Sequence, residues 1–146
     1  MAAIREWYSG YSIIYNWFED RYGAEALEEY WHYIAKEVYA DLADQFRQGG
    51  LPYIRSYFQE IIEEDQGEVR FEEEGGNLTV EILECPDYIW QKAYLEIDGM
   101  PRENYYRSYE TIYGDVAKMA GMDFALLKYD KDGRLKFRFS EREATA

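Results

Sequence analysis

Cys85 is the one cysteine of the chain, and its thiol is the side chain best suited to covalent chemistry. It lies in the run Leu83-Glu84-Cys85-Pro86, where an alternating strand pattern ends and a helix pattern begins. Such a junction can hold a reactive side chain at the edge of a sheet, close to the backbone N–H groups of a helix start. The run predicts a catalytic site in which Cys85, as nucleophile, or Glu84 acts on the substrate. The alternative is that Cys85 packs as a small apolar residue.

His32 is the only histidine and therefore the only imidazole base. Glu29-Tyr30-Trp31-His32 has the E-x-x-H spacing of carboxylate di-iron bundles, but those sites need a second such motif and two more glutamates. No metal and no cofactor are therefore predicted. His32 is a candidate catalytic residue. The alternative is a solvated helix face on which Glu28, one turn earlier, raises the proton affinity of the imidazole.

Tyrosines are abundant, with 16 in the chain, and several follow Cys85 closely. Aromatic rings with hydroxyl groups predict the wall of a small-ligand pocket, and arginine can hold a carboxylate in a bidentate fork. For the tyrosines, core packing is the alternative. The candidate ligand-binding residues are Tyr88, Trp90, Arg102, Tyr105, Tyr106, Arg107 and Tyr109.

The elements that position these residues follow from hydrophobic periodicity. Apolar residues at helical spacing predict helices over 4–22, about 24–48 and from Pro52 onward. The period then changes to two on either side of the turn at 75–77, which predicts a β-hairpin. By the same alternation Cys85 falls on the sheet face opposite Leu78, Val80 and Ile82.

The second half repeats this order of helix and hairpin. Helices are predicted from Pro86 to about 95 and over about 103–120, and strands over 124–129 and 135–139. The chain is therefore expected to form one α+β domain, with an antiparallel sheet of about four strands and two helices between its two hairpins. Its parts are a helical half (1–65), a hairpin–helix–helix–hairpin half (66–140) and a tail (141–146).

Charge and cysteine content restrict the classes of partner. The net charge of −14 repels nucleic-acid phosphates and anionic lipid, so no nucleic-acid or membrane partner is expected. One cysteine excludes an internal disulfide within the chain. The N-terminus lacks the apolar core of a signal peptide, and no run reaches membrane-spanning length, so a cytoplasmic location is expected.

Four runs resemble the family named for L-2-amino-thiazoline-4-carboxylic acid hydrolase. They are Asn16-Trp17-Phe18-Glu19-Asp20-Arg21-Tyr22-Gly23, then Glu84-Cys85-Pro86, then the helix 105–121 that leads into Met122, and finally Gly133-Arg134-Leu135-Lys136-Phe137-Arg138-Phe139. The resemblance covers most of the chain. It implies hydrolysis of a C–N or C–S bond in a small cyclic amino-acid derivative. A more distant likeness is to vinyl-reductase-type small-ligand domains.

The chain departs from that family in its cysteines. Many relatives carry further cysteines in the penultimate helix and the closing strand, where this chain has residues 105–109 and 135–137 without any. Two other functions therefore stay open. One is a non-catalytic small-ligand-binding or sensory domain on the same scaffold. The other is a homo-oligomeric interaction protein, a homodimer for example, whose aromatic surface is its interface.

Overall fold

A computed structural model describes residues 2–86, 88–89, 104–130 and 133–142. Its order is three helices, a hairpin, a helix and a second hairpin, so the predicted α+β class is confirmed. The elements are α1 (Ala2–Tyr22), α2 (Ala24–Val38), α3 (Ala40–Glu64), β1 (Glu68–Glu74), β2 (Asn77–Glu84), α4 (Asn104–Met119), β3 (Met122–Tyr129) and β4 (Leu135–Glu141).

The single helix predicted over 24–48 is wrong, because the chain bends at Tyr39 between α2 and α3. Tyr39 has φ −100° and ψ 9°, a backbone conformation that needs neither glycine nor proline and so leaves no sequence signal. On one side of the bend α2 contacts α1 and α4, and on the other side α3 contacts α4, β1 and β2. The predicted break between residue 48 and Pro52 is confirmed, because Gly50 has φ 65° and ψ −159°, outside the helical range, and two helical segments of α3 meet there at a kink.

The four strands form one antiparallel sheet in the order β1-β2-β4-β3, so the two predicted hairpins join through their second strands. Val80 is the register partner of both Phe71 on β1 and Phe137 on β4, and Phe137 is also the partner of Leu126 on β3. These side chains share the sheet face that the helices cover.

The core between helices and sheet is built largely from aromatic rings. Phe58 of α3 lies 5.1 Å from Phe137 and 5.8 Å from Phe139 of β4, between ring centroids, and all three are fully buried. Burying a side chain of this size stabilises the fold by about 1.5–3 kcal/mol. Within the part of the chain that the structure describes, none of the helices combines the length and the apolarity needed to cross a membrane.

Candidate functional site

Cys85 follows β2 directly and is buried, with 1% of its surface exposed. It belongs to the hydrophobic core, so the prediction that it shares the opposite sheet face is wrong. The reason is that β2 ends at Glu84, after which the two-residue period no longer sets the direction of a side chain. The carbonyl oxygen of Cys85 accepts a hydrogen bond from the N–H of Ile89 at 3.0 Å, within the helical turn that begins at Pro86.

Gly67, just after α3, packs against the backbone that carries Glu84 and Cys85. A β-carbon at Gly67 would lie 2.5 Å from the carbonyl oxygen of Glu84, 2.7 Å from Cγ2 of Ile62 and 2.9 Å from Cδ of Pro86. Only glycine permits so close an approach. Glu84 itself is exposed, so the two adjacent candidates differ in surroundings, with the carboxylate in solvent and the thiol in the core.

His32 connects α2 to α4. Its Nδ1 lies 2.5 Å from Oδ2 of Asp115, and its Nε2 lies 3.6 Å from Oε1 of Glu28. The hydrogen bond to Asp115 chiefly raises the pKa of His32 above its ordinary value of 6.5, and the charges of Asp115 and Glu28 add to this rise against the opposing effect of burial. Among the described residues its polar partners are these two carboxylates, so the imidazole and the thiol of Cys85 are not brought together as base and nucleophile.

Arg107, which is predicted to bind the carboxylate of a ligand, donates its hydrogen bonds to groups of the protein itself. Its Nη1 donates to Oε1 of Glu19 at 3.2 Å, and its Nη2 donates to the carbonyl oxygen of Ala24 at 3.5 Å. The guanidinium carbon lies 5.4 Å from the ring centroid of the buried Trp31. Arg107 therefore joins α4 to α1 and to the start of α2.

The tyrosines of α4 pack against the fold. The ring of Tyr106 stacks on Tyr129 of β3 with centroids 3.8 Å apart. Tyr109 lies 5.5 Å from Tyr113, whose hydroxyl is within 2.9 Å of the Tyr57 hydroxyl. This matches the core-packing alternative for these two candidates.

Tyr88 packs against the turn that joins β3 to β4. A β-carbon at Gly133, which has φ +82°, would lie 2.5 Å from Cγ of Tyr88. Tyr105 belongs to α4. Trp90 and Arg102 lie outside the described residues.

An aromatic groove between α1 and α2 is the feature that the sequence interpretation missed. This α1–α2 groove has a volume of about 630 Å³. Its lining residues are Phe18, Tyr22, Ala26, Glu29, Tyr30 and Tyr33. The ring of Trp17 lies 6.0 Å from Tyr22 and extends the aromatic surface along α1. The sequence signal for this groove was the number of apolar residues in α1, which is larger than the number that one apolar stripe of a helix can bury.

Two opposite charges border the groove. The guanidinium carbon of Arg21 lies 5.5 Å from the ring centroid of Trp17 and 5.6 Å from that of Tyr22, and its Nε donates to the Tyr22 hydroxyl at 3.2 Å. Glu29 lies in the groove wall. Within the described ranges, neither Arg21 nor Glu29 forms an ion pair.

No group of three histidine, cysteine, aspartate or glutamate side chains that could hold a metal ion occurs among the described residues. The chain matches no protein-family model, no curated protein and no solved structure. The resemblance to the thiazoline-carboxylate hydrolase family stays a prediction from the four sequence runs.

Proposed function

We propose that the protein is a homodimeric interaction protein and that the α1–α2 groove is the contact surface between its two copies. The observation that carries this proposal is the aromatic groove, which Trp17 extends and whose Tyr22 and Tyr33 are themselves exposed. Contiguous exposed apolar surface marks interaction sites on proteins, and aromatic residues are enriched in interface cores.

The charges beside the groove favour a second copy as the partner. In a two-fold dimer every contact occurs twice, so Arg21 of one copy can lie opposite Glu29 of the partner subunit, and Glu29 opposite Arg21 of the partner subunit. A uniformly acidic or uniformly basic partner would place a like charge against one of these two residues. A second copy can supply both opposite charges at once.

Hydrolysis at Cys85, which the family resemblance implies, draws less support from the geometry. A nucleophile must contact its substrate. Cys85 is 1% exposed and belongs to the core. The dimer proposal needs no movement of the core.

Charge reversal tests the proposal by sedimentation equilibrium. We expect wild type to sediment at twice its 17.5 kDa. Arg21→Glu and Glu29→Arg should each weaken the dimer about ten-fold or more, since like charges then face each other across the interface. The double variant Arg21→Glu/Glu29→Arg should dimerise again. Glu60 lies on α3, away from the groove. Glu60→Arg changes the net charge by the same amount as Glu29→Arg and should leave the dimer intact.

Mixing the two single variants gives a second test. Every Arg–Glu contact is restored in a heterodimer of Arg21→Glu with Glu29→Arg, so the mixture should associate more tightly than either variant alone. A wild type that stays monomeric at its highest soluble concentration would overturn the proposal. So would a dimer that neither single variant weakens.

A further inference from the structure

The sheet face opposite the core carries an uncompensated cation at its centre. Along β4, Phe137 and Phe139 are buried in the core, and by alternation Arg138 lies on the other face. Its register partners are Thr79 on β2 and Ala125 on β3, both with short side chains. Neither neighbour carries a carboxylate that could pair with the guanidinium.

The two carboxylates diagonal to Arg138 on the adjacent strands β2 and β3 pair with other cations. Glu81 lies diagonally from Arg138 and is held 3.8 Å from Nη1 of Arg70 and 3.8 Å from Nζ of Lys136. Asp123, on β3, accepts a hydrogen bond from Nε of Arg142 at 3.1 Å.

Arg138 itself lacks such a partner. Its Nε is buried and forms no hydrogen bond, and no ion pair of Arg138 occurs among the described residues. Lys128 of β3 is exposed, is the register partner of Lys136 and likewise forms no ion pair there. Buried donors in proteins almost always find an acceptor, so an unsatisfied one beside Lys136 and Lys128 indicates a place for an anion.

We propose that this face binds the carboxylate of a small organic anion, with the guanidinium of Arg138 as its principal ligand. A planar carboxylate matches the two parallel N–H donors of arginine. Lys136 and Lys128 supply further positive charge, and the Thr79 hydroxyl is a further donor. The net charge of −14 opposes a polyanion more strongly than a monoanion, which favours a single carboxylate over a phosphate dianion or a nucleic acid.

The test is a titration of the ¹⁵N-labelled protein with benzoate at constant ionic strength, followed by NMR. We expect saturable shifts of the Thr79, Ala125 and Arg138 amides and of the Arg138 Nε–H signal. Arg138→Gln should weaken benzoate binding about ten-fold or more, because it removes both the charge and the fork. Arg138→Lys keeps the charge alone and should give an intermediate affinity.

The matched control is Arg70→Gln, which removes the same charge from β1 while Lys136 still compensates Glu81. Its benzoate affinity should stay within about two-fold of wild type because Arg70 is remote from the carboxylate. If Arg70→Gln and Arg138→Gln lower the benzoate affinity equally, the effect is due to net charge alone and the proposal is overturned. The absence of amide shifts at Thr79 and Ala125 would also overturn it. Inorganic phosphate, titrated in parallel, should bind more weakly, and tighter phosphate binding would overturn the assignment to a carboxylate. Thermal unfolding of each variant checks that it is folded.

Discussion

Nδ1 of His32 lies 2.5 Å from Oδ2 of Asp115, so that one hydrogen bond joins two helices across 83 positions of the sequence. Glu28 completes the arrangement on the other side of the ring, with its carboxylate 3.6 Å from Nε2. A protonated imidazole donates from both nitrogens, whereas a neutral one donates from a single nitrogen. The pairing of His32 with its two carboxylates is therefore strongest when the imidazole is protonated.

This arrangement gives stability that is lost as the pH rises. The pKa of His32 is raised in the folded chain, mainly by the hydrogen bond to Asp115, above the value of 6.5 that applies to the unfolded chain. The charged imidazole therefore stabilises the fold fully below 6.5, and this contribution disappears as pH passes through the raised pKa. Since the side chain is 50% exposed, we expect a loss of about 0.5–1 kcal/mol at most. Urea unfolding at one pH below 6.5 and at one pH above the raised pKa measures this loss of stability.

Asp115→Asn is the informative variant for His32. It removes the largest cause of the raised pKa, so we expect the variant to titrate at lower pH and to lose less stability on going to alkaline pH. Glu28→Gln should have a smaller effect, because Glu28 contributes less. His32 is the only histidine, so its ring proton signals in the NMR spectrum report the pKa without ambiguity. Identical titration of wild type and Asp115→Asn would contradict this account.

The fold could be predicted where local pattern and tertiary packing agree. The strands around 75–77 alternate between apolar and polar residues over most of their length and are joined by Gly75 and Gly76, both at positive φ. Turn chemistry and the hydrophobic pattern therefore predict the same hairpin. The bend at Tyr39 could not be predicted, because no residue type marks it and the contacts of α3 with β1 and β2 are long-range.

The candidate site was less predictable than the fold because it depends on long-range contacts. Glu28 was foreseen as a partner of His32 since it lies one helical turn away. Asp115 was not foreseen, because only the packing of α4 on α2 brings it near. Arg107 was predicted to hold the carboxylate of a substrate, and the carboxylate beside it in the structure is that of Glu19. Sequence periodicity does not report such pairings.

Cys85 provides a direct test of the catalytic interpretation of the Glu84-Cys85-Pro86 run. Because the thiol is 1% exposed, we expect a disulfide reagent to label it far more slowly than free cysteine in the folded protein and at an ordinary rate in denaturant. Cys85→Ala should lower the free energy of unfolding by about 1–2 kcal/mol, since it leaves a small cavity in the core. Cys85→Ser should cost at least as much, because it places a hydroxyl in the core.

Labelling kinetics separate the two interpretations of Cys85. Stoichiometric labelling of the folded protein at neutral pH, faster than that of free cysteine, would contradict the packed thiol and support the activity that the family resemblance implies. Stability data alone would not make this distinction, so both measurements belong together.

Arg107 and Arg55 make the same two kinds of contact at different depths, and this difference predicts different effects on stability. Arg107 pairs with Glu19 at 3.2 Å and lies over the ring of Trp31, with 26% of its side chain exposed. Arg55 pairs with Glu73 at 3.3 Å and lies over the ring of Phe71, with 49% exposed. We expect Arg107→Gln to lower the free energy of unfolding by about 1–2 kcal/mol, because it leaves the half-buried Glu19 carboxylate without its cation. Arg55→Gln should cost about 0.5 kcal/mol or less, since its ion pair is solvated. Urea unfolding of both variants at one pH measures the two losses in the free energy of unfolding. Equal losses would mean that burial does not set the strength of these contacts.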